Sequence, residues 1–210
     1  MLTLFELALE QNADIHPHAL QRLTRGLPAL GNATRTNPQA SEKFINILTS
    51  KRNPDRVLRL MNESGVLGRY MPDFGRIVAM MQFDMYHSYT VDEHTIQVIG
   101  ILHDIESGKL AETAPVATEV MPEIESRRAL FVAALLHDMA KGRGGDHSIL
   151  GAELALEMCP RLGLSPEETE TVSWLVRHHL LMSKTAFRYD LNDPKTIEDF
   201  ATIVQSPERL

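Results

Sequence analysis

Cysteine is almost absent from this sequence, which has one, Cys159, in 210 residues. A single cysteine excludes an intramolecular disulfide and any zinc site built from several cysteines. Long apolar runs are also missing, since none reaches the roughly 20 residues that a membrane-spanning helix needs. The first residues lack the basic and then apolar pattern of a signal peptide. These absences predict a cytoplasmic protein with no membrane partner.

Basic residues are in the minority, with 21 Lys and Arg against 28 Asp and Glu and a formal net charge of −7. A protein that binds the nucleic-acid backbone usually presents a basic face, so this balance argues against a nucleic-acid partner. It does not exclude a small nucleotide as substrate. The length suits one domain, or one domain with an appendage, and permits a sizeable core.

Strand-type alternation of apolar and polar residues is scarce, and the sequence predicts an all-α fold. Apolar residues recur at three-to-four spacing, for example in 44–48 and 96–102, which is typical of amphipathic helices. Helix starts are marked at Asn53 and Asp193, each of which precedes a proline. A capping box begins at Ser165, because a glutamate follows three residues later.

Three breaks interrupt the helical pattern. Residues 31–38 predict a loop, 71–75 a turn, and 142–146 a flexible loop rich in glycine. The chain up to about residue 84 has few groups that can carry chemistry, so we interpret 1–84 as a helical appendage or connecting region. The groups that can carry chemistry lie in 85–210, which we interpret as the functional domain.

The strongest chemical signal is an adjacent pair, His137 and Asp138, at the end of an apolar helical run. Burying an imidazole and a carboxylate together is costly unless something binds them, and a divalent metal ion is the simplest such partner. The alternative is a hydrogen-bonded His–Asp pair that caps a core helix, and these residues alone do not separate the two. Lys141 follows Asp138 by three residues, which predicts a position on a neighbouring face of the same helix.

The other histidines carry weaker signals when each is taken alone. His147 opens a new helical run, and a helix start explains it well. Of His178 and His179 only one is expected to face a site, because adjacent helical residues point about 100° apart. His87 and Tyr89 could line the rim of a pocket, and a packing role explains them equally well.

A second pair, His103 and Asp104, looks like the first but does not fit the same site. His103 lies nine residues after His94 on one predicted helix. That spacing places the two side chains on opposite faces and about 13 Å apart along the axis. They cannot ligate one ion, and we expect His103 to be structural or solvated.

Three segments, 86–95, 136–152 and 174–183, together resemble the HD phosphohydrolase superfamily, whose pattern is His, His-Asp and Asp on a helical scaffold. The closer resemblance is to the HD domain of the bacterial bifunctional PII uridylyltransferase/uridylyl-removing enzymes. It extends from about residue 42 to the end of the chain and implies an HD-domain helical bundle. Full-length members also have a nucleotidyltransferase domain and glutamine-sensing ACT domains. This chain shows neither signature, so those domains of a parent chain are expected partners.

The resemblance also implies a metal site. By motif position, a first metal would be held by His94, His137 and Asp138, and a second by His147 and His179. We prefer His179 to His178 because the family motif keeps the histidine that directly precedes Leu-Leu-Met-Ser. The expected cofactor is one or two divalent ions, manganese or magnesium, with iron or nickel as alternatives. Asp138 would also orient the attacking water, while Lys141 and Arg143 would offset charge on the phosphate.

The implied reaction is hydrolysis of a tyrosyl uridylyl group on PII protein, which yields UMP and free PII within glutamine-linked nitrogen regulation. The alternatives are an HD phosphohydrolase of small nucleotides and a catalytically silent helical regulatory module. The last aspartate of the family pattern normally sits on a later helix. We consider Asp190 and Asp193 as late candidates, and we expect the true ligand to lie beyond Leu210.

Overall fold

A computed structural model describes residues 1–81, 89–206 and 209 of the protein. Within these residues it contains fourteen α-helices, two short 3-10 turns and no strand, which confirms the predicted all-α fold. None of the helices in this part of the chain is long and apolar enough to cross a membrane.

Seven helices precede the segment 82–88 and seven follow it. The first seven are α1 (Leu2–Glu10), α2 (Pro17–Gly26), α3 (Asn32–Arg35), α4 (Pro38–Leu48), α5 (Pro54–Glu63), α6 (Val66–Tyr70) and α7 (Pro72–Gly75). The second seven are α8 (Val91–Glu106), α9 (Pro115–Val120), α10 (Arg127–Leu136), α11 (His147–Arg161), α12 (Pro166–His178), α13 (Leu181–Arg188) and α14 (Pro194–Val204).

One hydrophobic core runs through both parts of the chain. Fully buried phenylalanines come from α1 (Phe5), α4 (Phe44), α7 (Phe74) and α10 (Phe131), and they belong to a single cluster of buried side chains. The shared core stabilises the two parts together, because burial of apolar surface is the main favourable term in folding. The interpreted boundary at residue 84 lies outside the described residues and stays a prediction.

Helix α10 lies at the centre of the part that carries the predicted ligands. Every residue from 131 to 136 is buried, and a helix that is apolar all round must be enclosed by its neighbours. Helices α8, α11 and α12 pack around it. Helix α10 ends at Leu136, so the predicted His–Asp pair directly follows the helix and lies in the interior of the protein. Lys141 therefore lies in the following turn, where its N–H donates to the carbonyl of Asp138 at 3.0 Å. The expectation that it continues the same helix is wrong.

The predicted breaks agree only in part with the structure. The loop over 31–38 is interrupted by the one-turn helix α3, and the turn at 71–75 is mostly the one-turn helix α7. Each helix is a single turn, which is too short to show an apolar repeat in the sequence. Such short helices depend on tertiary packing, because a single turn is unfavourable by itself. The loop at 142–146 is present, and its three glycines all have positive φ, between 77° and 85°, a conformation that favours glycine.

A glutamate at the start of α12 ties this helix to α10. Glu168 completes the predicted capping box: its carboxylate accepts from the Ser165 N–H at 2.9 Å, and its own N–H donates to the Ser165 hydroxyl at 3.2 Å. The same carboxylate accepts from the Ser126 hydroxyl at 2.8 Å and from Arg128 Nε at 3.0 Å. Because Arg128 binds the charged form, and Ser165 and Ser126 add hydrogen bonds, the pKa of Glu168 falls to about 2 despite its partial burial. The cap is therefore also a cross-link between two helices.

Replacing this carboxylate tests the cross-link. We expect Glu168→Gln to lower the free energy of unfolding by about 1 to 2 kcal/mol at pH 7, since it weakens several charge-assisted hydrogen bonds. A carboxylate with a depressed pKa stabilises the fold above its unfolded pKa, and that contribution is lost as pH falls from about 4.5 towards 2. The difference from wild type, measured by urea unfolding at several pH values, should shrink over that range.

The matched control is Glu167→Gln, on the same helical turn. Glu167 is exposed and bonds within its own cap, to the Ser165 hydroxyl at 2.7 Å, so we expect a loss of a few tenths of a kcal/mol, about the size of a surface effect. Equal losses for the two variants, or a Glu168 effect that does not change with pH, would contradict the cross-link.

Candidate metal centre

The five predicted metal ligands come together around one buried carboxylate. The side chain of Asp138 is 3% exposed. Its Oδ2 lies 3.2 Å from Nε2 of His137 and 3.7 Å from Nε2 of His94. Its Oδ1 lies 3.6 Å from Nε2 of His147 and 3.8 Å from Nε2 of His179. Four imidazoles thus surround a single carboxylate, two beside each oxygen.

Four helix ends deliver these side chains. One histidine lies in the first turn of α8, the His–Asp pair follows the last residue of α10, another histidine is the first residue of α11, and the last one directly follows α12. The ends of α11 and α12 can approach because of Gly151, where a Cβ atom would lie only 2.8 Å from a methyl group of Val176. A side chain at 151 would push apart the two helices that carry His147 and His179.

The cluster divides into two overlapping groups of three. The sets His94, His137 and Asp138, and Asp138, His147 and His179, each have ligand atoms that lie within 4.8 Å of one another. Consecutive imidazole rings from His94 through His137 and His179 to His147 have their centroids 5.3 Å apart. A carboxylate shared between two groups can bridge two cations or serve one, and the donor set of imidazole and carboxylate suits divalent transition metals.

Hydrogen bonds to the backbone fix the orientation of two of these rings. Nδ1 of His137 lies 2.7 Å from the carbonyl of Ala134, and Nδ1 of His179 lies 2.7 Å from the carbonyl of Val176. Because a carbonyl only accepts, each Nδ1 carries a proton, and Nε2 is the ring atom that faces the cluster. Metal-binding histidines are commonly oriented in this way.

Two further features of the cluster favour a bound ion over a closed hydrogen-bond network. Nε2 of His137 lies 3.3 Å from Nε2 of His94, so two nitrogens of the same kind face each other. Nε2 of His147 is buried and has no hydrogen-bond partner. A buried polar atom without a partner is rare and calls for an explanation such as a bound ion. The residues present therefore fit a divalent metal.

The electrostatics keep the ligands in the protonation states that a metal needs. Burial by itself would raise the pKa of Asp138, but the hydrogen bonds and charges of His137 and Lys141 outweigh it and hold that pKa well below its usual range. Burial lowers the pKa of His179 to about 4 and lowers that of His147 as well. At pH 7 the carboxylate is therefore charged and these two imidazoles are neutral, as metal ligation requires.

The two predicted cationic residues occupy different positions. Nζ of Lys141 lies 2.7 Å from Oδ2 of Asp138, and this side chain is almost buried. Nη2 of Arg143 lies instead 2.6 Å from Oδ1 of Asp73 on α7. This pair ties the glycine-rich loop to the first part of the chain. The sequence did not suggest it, because 70 residues separate the partners, and a phosphate contact by Arg143 stays a prediction.

Asp92 is a supporting residue whose role the sequence did not show. In the sequence it is a favourable acidic residue in the first turn of a helix. In the structure it is buried, and it accepts from Nδ2 of Asn62 at 2.7 Å and from the N–H of Ala79 at 3.2 Å. Ala79 has a φ of 56°, which an alanine rarely adopts. Asp92 thus anchors the start of α8, two residues before His94, to α5 and to the chain after α7.

The remaining histidines of the part of the chain that the structure describes lie outside the cluster. His103 is buried on α8, and its Nε2 accepts from the N–H of Asn53 at 3.4 Å, which is the structural role expected for it. His178 stacks on Trp174 with 4.5 Å between ring centroids. Of the two residues suggested for a pocket rim, His87 lies outside the described residues, while Tyr89 is exposed.

The two late aspartates considered as ligands are engaged in local backbone caps. Asp193 accepts from the N–H of Lys195 at 3.0 Å as the N-cap of α14, and Asp190 accepts from the N–H of Asn192 at 2.9 Å. Both aspartates are exposed. Neither belongs to the two groups of ligands found among the described residues.

Comparisons with known proteins show which proteins this chain resembles. The family model described as Uridylyltransferase GlnD third domain matches residues 1–70, and the HD domain model matches residues 107–206. Two curated proteins named bifunctional uridylyltransferase/uridylyl-removing enzyme, from Azospirillum brasilense and Rhodospirillum rubrum, are 59% and 56% identical to the chain over all 210 residues. A third protein of that name, from Novosphingobium aromaticivorans, is 56% identical over the same length.

The alignments cover 100% of this chain but only 22% or 23% of each relative. The chain thus spans about a fifth of the length of the curated relatives it matches. Four of the five clustered residues lie within the HD match, and His94 precedes it. The chain belongs to the family of bifunctional uridylyltransferase/uridylyl-removing enzymes, and it carries their third domain and their HD domain.

Proposed function

We propose that this chain is a metal-dependent phosphodiesterase that removes UMP from uridylylated PII protein, as part of glutamine-linked nitrogen regulation. The observation that carries the proposal is the group of four histidines around the buried carboxylate of Asp138. The uridylyl-removing activity in the names of the relatives supports it. The proposed partners are the PII protein as substrate and the nucleotidyltransferase and ACT domains of a longer chain.

One or two divalent ions are the proposed cofactor, and manganese or magnesium suits phosphate chemistry best, with iron or nickel as alternatives. The proposed ligands are His94, His137, Asp138, His147 and His179. A metal ion bound there would lower the pKa of a water molecule and polarise the phosphoryl group. Asp138 is the ligand common to both groups, so the proposal depends on it more than on any single histidine.

The remaining roles belong to charged side chains of the chain itself. Asp138 accepts a hydrogen bond from the attacking water and orients it. Lys141, already 2.7 Å from that carboxylate, adds positive charge beside the phosphate and stabilises the additional negative charge of the transition state. Arg143 contributes in the same way when its guanidinium group releases Asp73 and binds the phosphate. The leaving group is a tyrosine phenolate, which departs more readily than an alkoxide.

Replacing the shared carboxylate tests metal binding directly. We expect Asp138→Asn to weaken Mn²⁺ binding by about 100-fold or more, because even residues that only support a ligand commonly account for 10- to 100-fold. Calorimetric titration and elemental analysis measure the effect. The matched control is Asp104→Asn in the look-alike pair, where the carboxylate is on the surface and bonds Lys109. Binding that survives in Asp138→Asn, or is lost equally in both variants, would refute the site.

Release of UMP tests the reaction and separates the alternatives. With Mn²⁺ and uridylylated PII, we expect the chain to release UMP and unmodified PII, and Asp138→Asn to lower the rate at least 100-fold, as expected when the nucleophile loses its activation. Chromatography and intact-mass spectrometry follow both products. Hydrolysis of free nucleotides without turnover of PII would favour the small-nucleotide hydrolase. A chain that binds Mn²⁺ and turns over neither substrate would favour the silent regulatory module.

The depressed pKa of His179 predicts how stability depends on pH without metal. In the unfolded chain this histidine takes up a proton near pH 6.5, whereas burial in the fold lowers its pKa to about 4. The unfolded state therefore binds more protons between these values, and the free energy of unfolding falls as pH decreases from 6.5 to 4. Chemical unfolding in EDTA should show this fall.

The corresponding variants are His179→Gln and His18→Gln, the second at an exposed histidine. The free energy of unfolding of His179→Gln should fall less steeply between pH 6.5 and 4 than that of wild type, because the buried titrating group is gone. For His18→Gln, the free energy of unfolding should depend on pH as it does in wild type. A His179→Gln slope equal to that of wild type would show that this imidazole titrates normally in the fold.

A further inference from the structure

His94 is the most exposed of the five proposed ligands. Its side chain is 35% exposed, whereas those of the other four are 3% to 28% exposed. It lies on α8, between the third-domain match that ends at residue 70 and the HD match that begins at residue 107. Since neighbouring side chains enclose this imidazole least, its place beside Asp138 follows mainly from where the first turn of α8 lies.

Helix α5 holds the first turn of α8 through two consecutive acidic residues. The buried carboxylate of Asp92 accepts from Nδ2 of Asn62 at 2.7 Å. Next to it, the carboxylate of Glu93 accepts from Nη2 and Nε of Arg59 at 2.8 and 3.1 Å. Asn62 and Arg59 are three residues apart, so both project from one face of α5. Among the described residues, Thr90 adds no side-chain cap to α8, so tertiary contacts take the place of a local cap.

The two contacts with α5 differ in strength. Asp92 is 5% exposed, and a hydrogen bond to a buried charge is stronger than one between neutral groups. Its loss would leave a carboxylate oxygen without this donor in the interior, which is costly. The side chains of Arg59 and Glu93 are 35% and 29% exposed, and an ion pair in contact with water contributes less. Asn62 is therefore the principal contact, and Arg59 is the supporting one.

Close packing continues these contacts along both helices. At Gly100 of α8 a Cβ atom would lie only 3.1 Å from Cγ of Asp55 on α5, so a larger residue would push the helices apart. Leu58 of α5 and Ile99 of α8 are fully buried in the same hydrophobic core. Because α5 and α8 pack against each other in this way, a shift of α5 shifts the first turn of α8 with it.

The second group of ligands is supported by different helices. His147 begins α11, and His179 directly follows α12. These two helices pack closely against each other, and both lie within the HD match. Asp138 is common to the two groups, so the contacts of α5 with the first turn of α8 act on the first group through one ligand, His94.

We infer that Asn62 and Arg59 are positioning residues for the metal centre, which act through His94. By fixing the first turn of α8, they hold this imidazole beside His137 and Asp138, so that the first group of ligands can close on one ion. The inference rests on the metal site proposed above. It makes metal affinity at the first group depend on the third-domain unit, to which α5 belongs.

Exchange of the buried pair tests this role through metal affinity. Asn62→Asp places a second carboxylate against Asp92, and we expect it to weaken Mn²⁺ binding by about tenfold or more, the usual range for residues that support a ligand. The double variant Asn62→Asp with Asp92→Asn restores a donor and an acceptor in exchanged positions, so it should recover most of the lost affinity. The matched control is Arg56→Gln on the same helix, because Arg56 pairs with Asp14 rather than with α8. Calorimetric titration measures the affinity of each protein.

A His94→Gln background distinguishes positioning from a general loss of stability. Once the imidazole is absent, Asn62→Asp has no ligand to displace, so we expect less than about a twofold further change in Mn²⁺ affinity. A variant that merely loosens the fold would weaken binding by the same factor in both backgrounds. If Asn62→Asp does not fold, Arg59→Gln replaces it, with the same pattern and a loss of about two- to fivefold, since it removes a partly exposed ion pair.

Histidine NMR signals of the metal-free chain give a readout that needs no ion. The imidazole C–H signal of His94, assigned from its absence in His94→Gln, should shift in Asn62→Asp and return towards its wild-type position in the exchanged double variant. The signal of His18, an exposed histidine on α2, should stay in place. A chain that binds no Mn²⁺ would refute the proposed function, and the His94 signal would still decide whether α5 positions this side chain.

Three results would overturn the inference. Mn²⁺ affinity of Asn62→Asp equal to that of wild type would show that the buried pair does not hold the ligand. Equal losses with and without His94 would show that α5 acts through overall stability. A His94 signal that is unchanged in Asn62→Asp would show that the first turn of α8 keeps its place without this hydrogen bond.

Discussion

The buried carboxylate of Asp138 is the constraint on which this structure depends. A carboxylate that is withdrawn from water is strongly unfavourable unless positive charge or hydrogen-bond donors surround it. Here Lys141 supplies positive charge at 2.7 Å, and four imidazoles within 3.8 Å complete a set of ligands that suits a divalent cation. Three of the imidazoles, those of His94, His147 and His179, come from other helices, so the cluster forms only where four helix ends meet. The packing that builds the fold therefore also assembles the site.

The surrounding structure keeps these ends in place. Backbone carbonyls of α10 and α12 orient two of the imidazoles through Nδ1. Asp92 fixes the start of α8, and Glu168 joins the starts of α10 and α12. Gly151 lets α11 approach α12. None of these residues belongs to the proposed ligand set. The carbonyls orient two of the ligand rings, and the other residues hold together the helices that carry the ligands, and such support distinguishes a preorganised site from a group of nearby histidines.

Much of this arrangement was predictable because its signals are local. The caps before α12 and α14 are encoded within four residues, and the His–Asp pair stands out at the end of an apolar run. Helix geometry separates His103 from His94, and the choice of His179 over its neighbour came from the family resemblance. The pairs Asp92–Asn62, Arg143–Asp73 and Ser41–Arg161 were not predictable. Each joins elements that are 30 to 120 residues apart, and nothing in one sequence indicates which distant elements meet.

Anomalous scattering from crystals of the chain soaked in Mn²⁺ tests the central claim most directly. The account predicts a manganese peak within about 2 to 2.5 Å of an Asp138 carboxylate oxygen, the usual range for divalent ions and oxygen ligands. At least two of the surrounding Nε2 atoms should complete its coordination. An ordered peak elsewhere in the protein with none beside Asp138, or no bound manganese at saturating concentration, would contradict the account.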